Sequence, residues 1–164
     1  MHSDGERQIR CFVATVSDTR TVETDKSGKL IKELILEKGH ECIDHVIVKD
    51  EKQQIQELIL DVVTENKADA ILLTGGTGIS ARDVTIEAVE KMFEKEINGF
   101  GELFRMLSYQ EDIGSSAMLS RAISGVVNGK VIFAMPGSTG AVKLAMNKLI
   151  LPELHHIYRE LHKN

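Results

Sequence analysis

The chain has 164 residues and a formal net charge of −5. A chain of this length most often forms one domain and buries a core without disulfides or a structural metal. The acidic balance, with no basic run, argues against nucleic acid or an anionic membrane as a partner. No apolar stretch approaches the roughly 20 residues of a membrane span, and the N-terminus lacks the apolar core of a secretory signal. We predict a cytoplasmic protein with a flexible segment over residues 1–8 and one domain over residues 9–164.

Strand and helix patterns alternate along the first half of the chain. Apolar runs predict strands at 9–16, 41–49 and 68–74, and apolar residues at helical spacing predict helices at 29–38 and 51–66. Asp50 and Gln53 have the spacing of an N-cap and a capping box for the second helix. Alternation of this kind indicates crossover connections, a parallel sheet and helices on both of its faces.

The second half of the chain adds more helices and one reversed strand. Helical patterns cover 85–93, 99–110 and 115–121; a long helix runs from Ser138 to Leu151, and Pro152 opens a terminal helix. Asn128-Gly129 separates apolar runs at 122–127 and 130–135, which is a strong signal for a hairpin. We therefore predict a three-layer α/β/α sandwich whose mostly parallel sheet contains one antiparallel hairpin strand.

The loop after the third predicted strand is rich in glycine. It reads TGGTGISARDVT from Thr74 to Thr85. Gly75, Gly76 and Gly78 let the backbone approach a ligand, and successive N–H groups there can form an anion-binding nest. Ligands of open α/β sheets bind at the carboxyl ends of the strands. The glycines, followed by Arg82, therefore predict a phosphate site; a tight turn that needs glycine only for its geometry is the alternative.

Two standard nucleotide motifs fit this loop poorly. The chain contains no Walker A sequence. The segment from Gly76 to Ala81 matches G-x-G-x-x-A, but that fingerprint belongs after the first strand, with a helix opening at once. An NAD-dependent oxidoreductase is therefore only a remote alternative.

Two carboxylates follow the ends of neighbouring predicted strands. Asp50 comes after the second strand, and Asp83 lies in the loop after the third. Mg²⁺ usually takes one or two carboxylates together with waters and phosphate oxygens, so the pair predicts a magnesium site, held directly or through water. The alternatives are structural: Asp50 as a helix cap and Asp83 as a favourable charge at a helix start.

Two further segments carry candidate anion ligands. Pro136, Gly137 and Ser138 form a loop that leads into the long helix, where Ser138 either caps the helix or helps to hold an anion. Arg121, after Ser120, either clamps a phosphate through both arms of its guanidinium or is solvated.

Three separated segments carry a family likeness: TGGTGISARDVTIEAV, GFGELFRMLSYQEDIGSSAMLSRA and FAMPGST. In this order and spacing they resemble the molybdenum cofactor biosynthesis proteins of the MoaB/MogA family, and the likeness extends from about Ile9 to Leu151. The GFGELFRMLS and AMPGST stretches look more like the MoaB branch. The resemblance implies a three-layer α/β sandwich and an assembly of homotrimers or homohexamers.

The resemblance also implies a ligand and a reaction. The ligand is molybdopterin, a pterin that carries a dithiolene and a phosphate. In the MogA-type branch, Mg-ATP and molybdopterin are the substrates, and adenylyl-molybdopterin and pyrophosphate are the products. The family's acidic positions match Asp50 and Asp83. Its phosphate loop matches Thr74, Gly75, Gly76, Thr77 and Gly78, and the motifs near the pterin contain Ser120, Arg121, Pro136, Gly137 and Ser138.

The chain departs from the family pattern at two positions. Ala81 and Ile86 stand where proline is common, whereas Arg82, Asp83 and Thr85 are kept. Some members of the MoaB branch lack adenylyl transfer, so a non-catalytic molybdopterin carrier is the alternative function. A second protein that inserts molybdate is a candidate partner.

Overall fold

A computed structural model describes residues 7–163, which include a six-stranded sheet. The strands are β1 (Arg10–Val16), β2 (Glu41–Val48), β3 (Ala70–Thr74), β4 (Lys95–Glu96), β5 (Ile123–Val127) and β6 (Lys130–Met135). Their order is β2-β1-β3-β6-β5-β4, and only β5 runs against the other described strands. The predicted, mostly parallel sheet is confirmed. The division into residues 1–8 and 9–164 stays a prediction, because 1–6 and 164 lie outside the described residues.

Helices cover both faces of the sheet. They are α1 (Lys26–Glu37), α2 (Lys52–Thr64), α3 (Thr85–Glu90), α4 (Asn98–Glu111), α5 (Thr139–Leu144) and α6 (Leu151–Leu161). Side chains of β1 alternate: Cys11 and Val13 pack with α1, α4, α5 and α6, whereas Phe12 and Ala14 pack with α2 and α3. The predicted three-layer sandwich is confirmed. No helix within residues 7–163 is long and apolar enough to cross a bilayer; the cytoplasmic location stays a prediction.

Several element boundaries differ from the predicted ones. Helix α1 begins three residues earlier than expected because Asp25 caps it, accepting a hydrogen bond from the Gly28 N–H at 3.0 Å. The short strand β4 was not predicted. The hairpin between β5 and β6 is confirmed, with Asn128 and Gly129 at φ 48° and 80°, the positive values that a type I′ turn requires.

The predicted cap of α2 is wrong. Its N-cap is Glu51, whose side chain makes no capping bond, and Gln53 donates to Glu57 at 3.2 Å instead of closing a capping box. Asp50 lies one residue before the cap, and its N–H donates to Oδ1 of Asp18 at 3.0 Å. Asp50 is therefore not committed to capping.

The C-terminal helices form one run rather than two. A π-helical turn (Ala145–Ile150) joins α5 directly to α6, so the predicted break at Pro152 is absent from the described chain. Pro152 has no N–H to donate, and the irregular turn lies just before it. The predicted cap at Ser138 is confirmed: its side chain accepts from the Ala141 N–H at 3.2 Å.

Candidate functional site

Two cavities adjoin at the carboxyl ends of β1, β3 and β6. The first has a volume of about 350 Å³ and is lined mainly by residues after β1 and β6. The second has a volume of about 280 Å³ and is lined mainly by residues after β3 and before β5. Gly75 and Gly137 line both cavities. This placement follows the rule that ligands of parallel sheets bind beyond the strands' carboxyl ends.

The segment from Gly75 to Ile79, called the glycine loop below, has a backbone that requires glycine. Gly75 and Gly76 have φ values of 97° and 66°. A Cβ atom at Gly75 would lie 2.6 Å from the carbonyl oxygen of Val16, and one at Gly76 would lie 3.0 Å from Oδ1 of Asp50. Any larger side chain would therefore be strained and would collide with its neighbours.

The carbonyl oxygens of the glycine loop are held by the protein itself. Thr85 donates its hydroxyl to Gly75 O and its N–H to Gly76 O, both at 2.9 Å. Arg121 donates to Thr77 O at 2.9 Å and to Gly78 O at 2.7 Å. Within residues 7–163, no protein group accepts from the N–H groups at positions 76 to 79. Fixed carbonyls beside free N–H groups make this loop a cradle for an anion.

Arg121 lies at the second cavity and makes several contacts within the protein. We predicted that it binds the pterin or clamps a phosphate, but its guanidinium is occupied by Thr77, Gly78 and Glu87. The distance from Nη1 to Oε2 of Glu87 is 2.5 Å. The hydrogen bond from Arg121 lowers the pKa of Glu87 below its ordinary value. Arg121 therefore contacts the glycine loop and Glu87, and its role toward a ligand stays a prediction.

Asp50 and Asp83 lie beside the glycine loop, and Asp18 interacts electrostatically with Asp50. Oδ2 of Asp83 accepts from the Ser80 N–H and hydroxyl at 3.0 and 2.8 Å, and no residue of the described chain donates to Oδ1. Burial raises the pKa of Asp50, and the charges of Asp18 and Asp83 raise it further. A hydrogen bond from the Asp18 backbone and the charge of Arg82 act in the opposite direction. The predicted convergence of Asp50 and Asp83 thus includes Asp18, which the sequence analysis missed.

Two predicted phosphate ligands line neither cavity. Thr74 is fully buried, and its hydroxyl donates to Pro136 O at 3.0 Å, which ties two loops together. Arg82 is exposed, with Nε 3.9 Å from Oδ2 of Asp18. Both residues are close to the site, but each contacts a neighbouring residue and neither lines a cavity.

The residues predicted for phosphate and for pterin share cavities. Ser120, Arg121, Pro136 and Gly137 line the second cavity together with Asp83 and the glycines at 75, 76 and 78. Ser138 instead lines the first cavity. The predicted loops therefore lie together at the two cavities, without a division into a phosphate subsite and a pterin subsite; their roles stay a prediction.

The first cavity contains basic residues that the sequence analysis missed. Arg20 and Lys26 line it, together with the hydroxyl-bearing residues Thr15, Ser17, Ser27, Ser138 and Thr139. Two cations and several hydroxyls give this cavity the chemistry to hold an anionic or strongly polar group. The sequence Asp25-Lys26-Ser27-Gly28 could have indicated this cavity, because Asp25 is the N-cap of a helix that begins near the carboxyl end of β1.

A buried polar cluster supports the wall of the first cavity. Oδ2 of Asp25 accepts from the Thr15 hydroxyl at 2.5 Å and lies 2.7 Å from Nε2 of His45. Burial alone would raise the pKa of Asp25, but hydrogen bonds from Thr15, Gly28 and His45 outweigh it and lower the pKa. The cluster fixes the start of α1 against β1 and β2.

Comparisons with known proteins identify the family to which the chain belongs. Residues 12–156 match the family described as a probable molybdopterin binding domain. The chain is 61% identical over 157 residues to molybdenum cofactor biosynthesis protein B of Bacillus cereus, covering 96% of this chain and 93% of that protein. A crystal structure of a molybdenum cofactor biosynthesis protein B superposes with a TM-score of 0.94 at 60% identity, covering 97% of this chain and 99% of that one. The tungsten cofactor synthesizing protein MoaB from Pyrococcus furiosus gives 0.85 at 37% identity, covering 96% and 99%.

The fold and site define a mostly parallel α/β protein with a glycine loop and two adjoining cavities at the carboxyl ends of its strands. The chain belongs to the molybdenum cofactor biosynthesis family that contains the molybdopterin binding domain, and it is similar to the MoaB members along nearly its whole length. The family resemblance inferred from the sequence is confirmed, and the role of the chain lies in molybdenum cofactor biosynthesis.

Proposed function

We propose that this protein transfers an adenylyl group from Mg-ATP to molybdopterin, giving adenylyl-molybdopterin and pyrophosphate. The observation that carries the proposal is the pair of adjoining cavities that share Gly75 and Gly137. Two substrates that must exchange a group need adjacent sites that meet at the reacting atoms. A carrier of one pterin needs only one such site.

The reaction is an in-line displacement at phosphorus. An oxygen of the molybdopterin phosphate attacks the α-phosphorus of ATP, and a new P–O bond forms. The bond from the α-phosphorus to its bridging oxygen breaks, and that oxygen leaves with the electron pair as part of pyrophosphate. The attacking phosphate is already an anion, so no side chain has to act as a nucleophile or a base.

The chain's own groups act by positioning and by charge. The free N–H groups of the glycine loop hold phosphate oxygens, and their dipoles are preorganised because the loop's carbonyls are bound to Thr85 and Arg121. Arg20 and Lys26 offset negative charge in the first cavity. Orientation and charge stabilisation are the main contributions that phosphoryl-type transfer requires of a protein.

The residues present fit a magnesium ion. Asp50 and Asp83 would hold it, since Oδ1 of Asp83 has no donor within residues 7–163, and burial followed by the charges of Asp18 and Asp83 raises the pKa of Asp50. No group of three or more metal-ligating side chains exists in this part of the chain, which suits an ion completed by phosphate oxygens and water. When bound, Mg²⁺ supplies positive charge that offsets charge on the phosphates.

The test is to incubate the protein with Mg-ATP and molybdopterin and to measure pyrophosphate and adenylyl-molybdopterin. We expect both products in equal amounts, and none after EDTA. Molybdopterin binding without any ATP consumption in a single turnover would overturn the proposal in favour of the non-catalytic carrier.

A further inference from the structure

We propose that Arg121 is a positioning residue that sets the orientation of the glycine loop, and that Glu87 holds Arg121 in place. The inference rests on the proposed function to the extent that the glycine loop binds a phosphate group. Arg121 lies just before β5, and Glu87 lies in the first turn of α3. The pair is called the brace below.

The geometry of the brace uses both edges of the guanidinium. Nε donates to Thr77 O at 2.9 Å and to Gly78 O at 3.1 Å, and Nη2 donates to Gly78 O at 2.7 Å. Nη1 and Nη2 donate to the two carboxylate oxygens of Glu87 at 2.5 and 3.3 Å. A planar fork of N–H donors can make all these bonds at once, whereas an ammonium group cannot.

These bonds determine where two N–H groups point. The C=O and N–H of one trans peptide unit point in opposite directions. Binding of the Thr77 carbonyl to Arg121 therefore turns the Gly78 N–H away from the guanidinium, and binding of the Gly78 carbonyl does the same for the N–H of Ile79. Glycine peptides rotate with little hindrance, so without the brace these donors would have to be ordered by the ligand itself.

A direct phosphate clamp is the rival role for Arg121, and it predicts the opposite effect at Glu87. If Arg121 acts on a ligand, its ion pair with Glu87 competes with that ligand, and removing the carboxylate frees the guanidinium. If Arg121 acts through the loop, removing the carboxylate loosens the guanidinium and then the loop. The sign of the Glu87 effect therefore separates the two roles.

The experiment compares Glu87→Gln, Arg121→Lys and the double variant with the wild-type chain. Affinity for inorganic pyrophosphate with Mg²⁺ is measured by calorimetry, and the melting temperature is recorded for each chain. We expect each single variant to bind about tenfold more weakly. The double variant should bind little worse than Arg121→Lys alone, because the two residues act as a unit.

A matched control removes a carboxylate from another arginine. Asp69 pairs with Arg10, with Nη2 of Arg10 3.0 Å from Oδ1 of Asp69, at the opposite end of β1 from the loop. Asp69→Asn should change the melting temperature without changing pyrophosphate affinity. This control separates loss of an ion pair from loss of loop order.

Unchanged or tighter pyrophosphate binding in Glu87→Gln would overturn the brace, as would variants that lose only melting temperature. Absence of pyrophosphate binding by the wild-type chain would overturn it as well. Failure of the proposed function gives a different result: the wild-type chain would bind pyrophosphate, the brace variants would weaken that binding, and no adenylyl-molybdopterin would form.

Discussion

Asp50 is the residue whose interpretation changes most between sequence and structure. It does not cap α2, and burial raises its pKa, with a further contribution from the charges of Asp18 and Asp83. Because the folded pKa lies above the unfolded one, the stability cost appears as pH rises through that interval and is fully present at neutral pH. Asp50→Asn should therefore melt at or above the wild-type temperature, while adenylyl transfer falls about 100-fold. Parallel melting and pyrophosphate assays test this, and a fully active variant would contradict it.

Asp83 also stabilises the local structure, because its Oδ2 accepts two hydrogen bonds from Ser80 and closes a turn. The amide oxygen of asparagine can accept the same two hydrogen bonds, so Asp83→Asn should keep the fold. We expect transfer to fall about as far as in Asp50→Asn, on the order of 100-fold. Asp61→Asn, at an exposed carboxylate on α2, is the control and should retain full activity. Normal turnover by a stable Asp83→Asn chain would remove Asp83 from the mechanism.

Thr15 is a buried residue with a predictable effect on stability. Its hydroxyl donates to the Asp25 carboxylate at 2.5 Å, and a hydrogen bond to a charged group contributes about 1.5–3 kcal/mol. Thr15→Val should lower the free energy of unfolding by about that amount. Thr64→Val, at an exposed position of α2, is the control and should change it little. The contribution of Asp25, whose folded pKa is lowered below 3.8, is lost only as pH falls below that value. Urea unfolding at neutral pH and in acid measures both effects.

At the scale of elements, the sequence predicted those helices, strands and turns whose own residues carry the signal. The apolar stripe of α2 and the Asn128-Gly129 turn carry their own signals, and both elements are present. Strand β4 has only two residues, Lys95 and Glu96, and no apolar run, so its pairing with β5 depends on the rest of the sheet. Asp50 and Gln53 have the spacing of a capping box, in which the Asp50 N–H would donate to the Gln53 side chain. That N–H donates to Asp18 instead.

Contacts within one loop of the candidate site could be predicted from the sequence, whereas contacts between distant segments could not. The glycine loop and Asp83 are contiguous in sequence and are found together. The hydrogen bonds of Arg121 were not predicted because its partners are remote: Glu87 lies 34 residues away and Thr77 lies 44 residues away. No pattern within a short window reports such a contact.

His40 links three elements and makes their packing sensitive to pH. It is buried, its Nδ1 accepts from the Ile9 N–H at 3.1 Å, and its ring centre lies 4.7 Å from that of His155 on α6. Burial lowers the pKa of His40 below 6.5, and the charge of His155 lowers it further. The unfolded chain therefore binds a proton that the folded chain excludes, so the free energy of unfolding should fall as pH drops below 6.5 toward the folded pKa.

The test of this pH dependence is His40→Asn, whose side-chain oxygen can accept the Ile9 N–H without titrating. Urea unfolding between about pH 7 and pH 5 should show a flatter slope for this variant than for the wild type. His156→Asn, at an exposed histidine paired with Glu153, is the matched control and should keep the wild-type slope. An unchanged slope in His40→Asn would assign the effect to another group.

At the scale of the whole molecule, several large apolar side chains are exposed along one helix and the segment that follows it. Helix α4 and the 3₁₀ turn after it (Gly114–Leu119) expose a set of large side chains: Leu103, Met106, Tyr109, Ile113, Met118 and Leu119. Leu103 is 47% exposed. Leu119 also lines the second cavity, so this face adjoins the candidate site. Large exposed apolar patches mark interaction surfaces.

We expect this apolar face to be covered by further copies of the chain in a closed homotrimer or homohexamer, as predicted from the sequence. Sedimentation at micromolar concentration should give a mass several times 18.2 kDa. Met118 is 80% exposed, and Met118→Glu would place a charge within the proposed interface, where an unpaired buried charge is strongly unfavourable. That variant should shift the population toward monomer, whereas Leu60→Glu, at an exposed leucine on the opposite layer, should not. A monomeric wild-type chain at these concentrations would contradict the prediction, and a monomer that still transfers adenylyl groups would show that the site is complete within one chain.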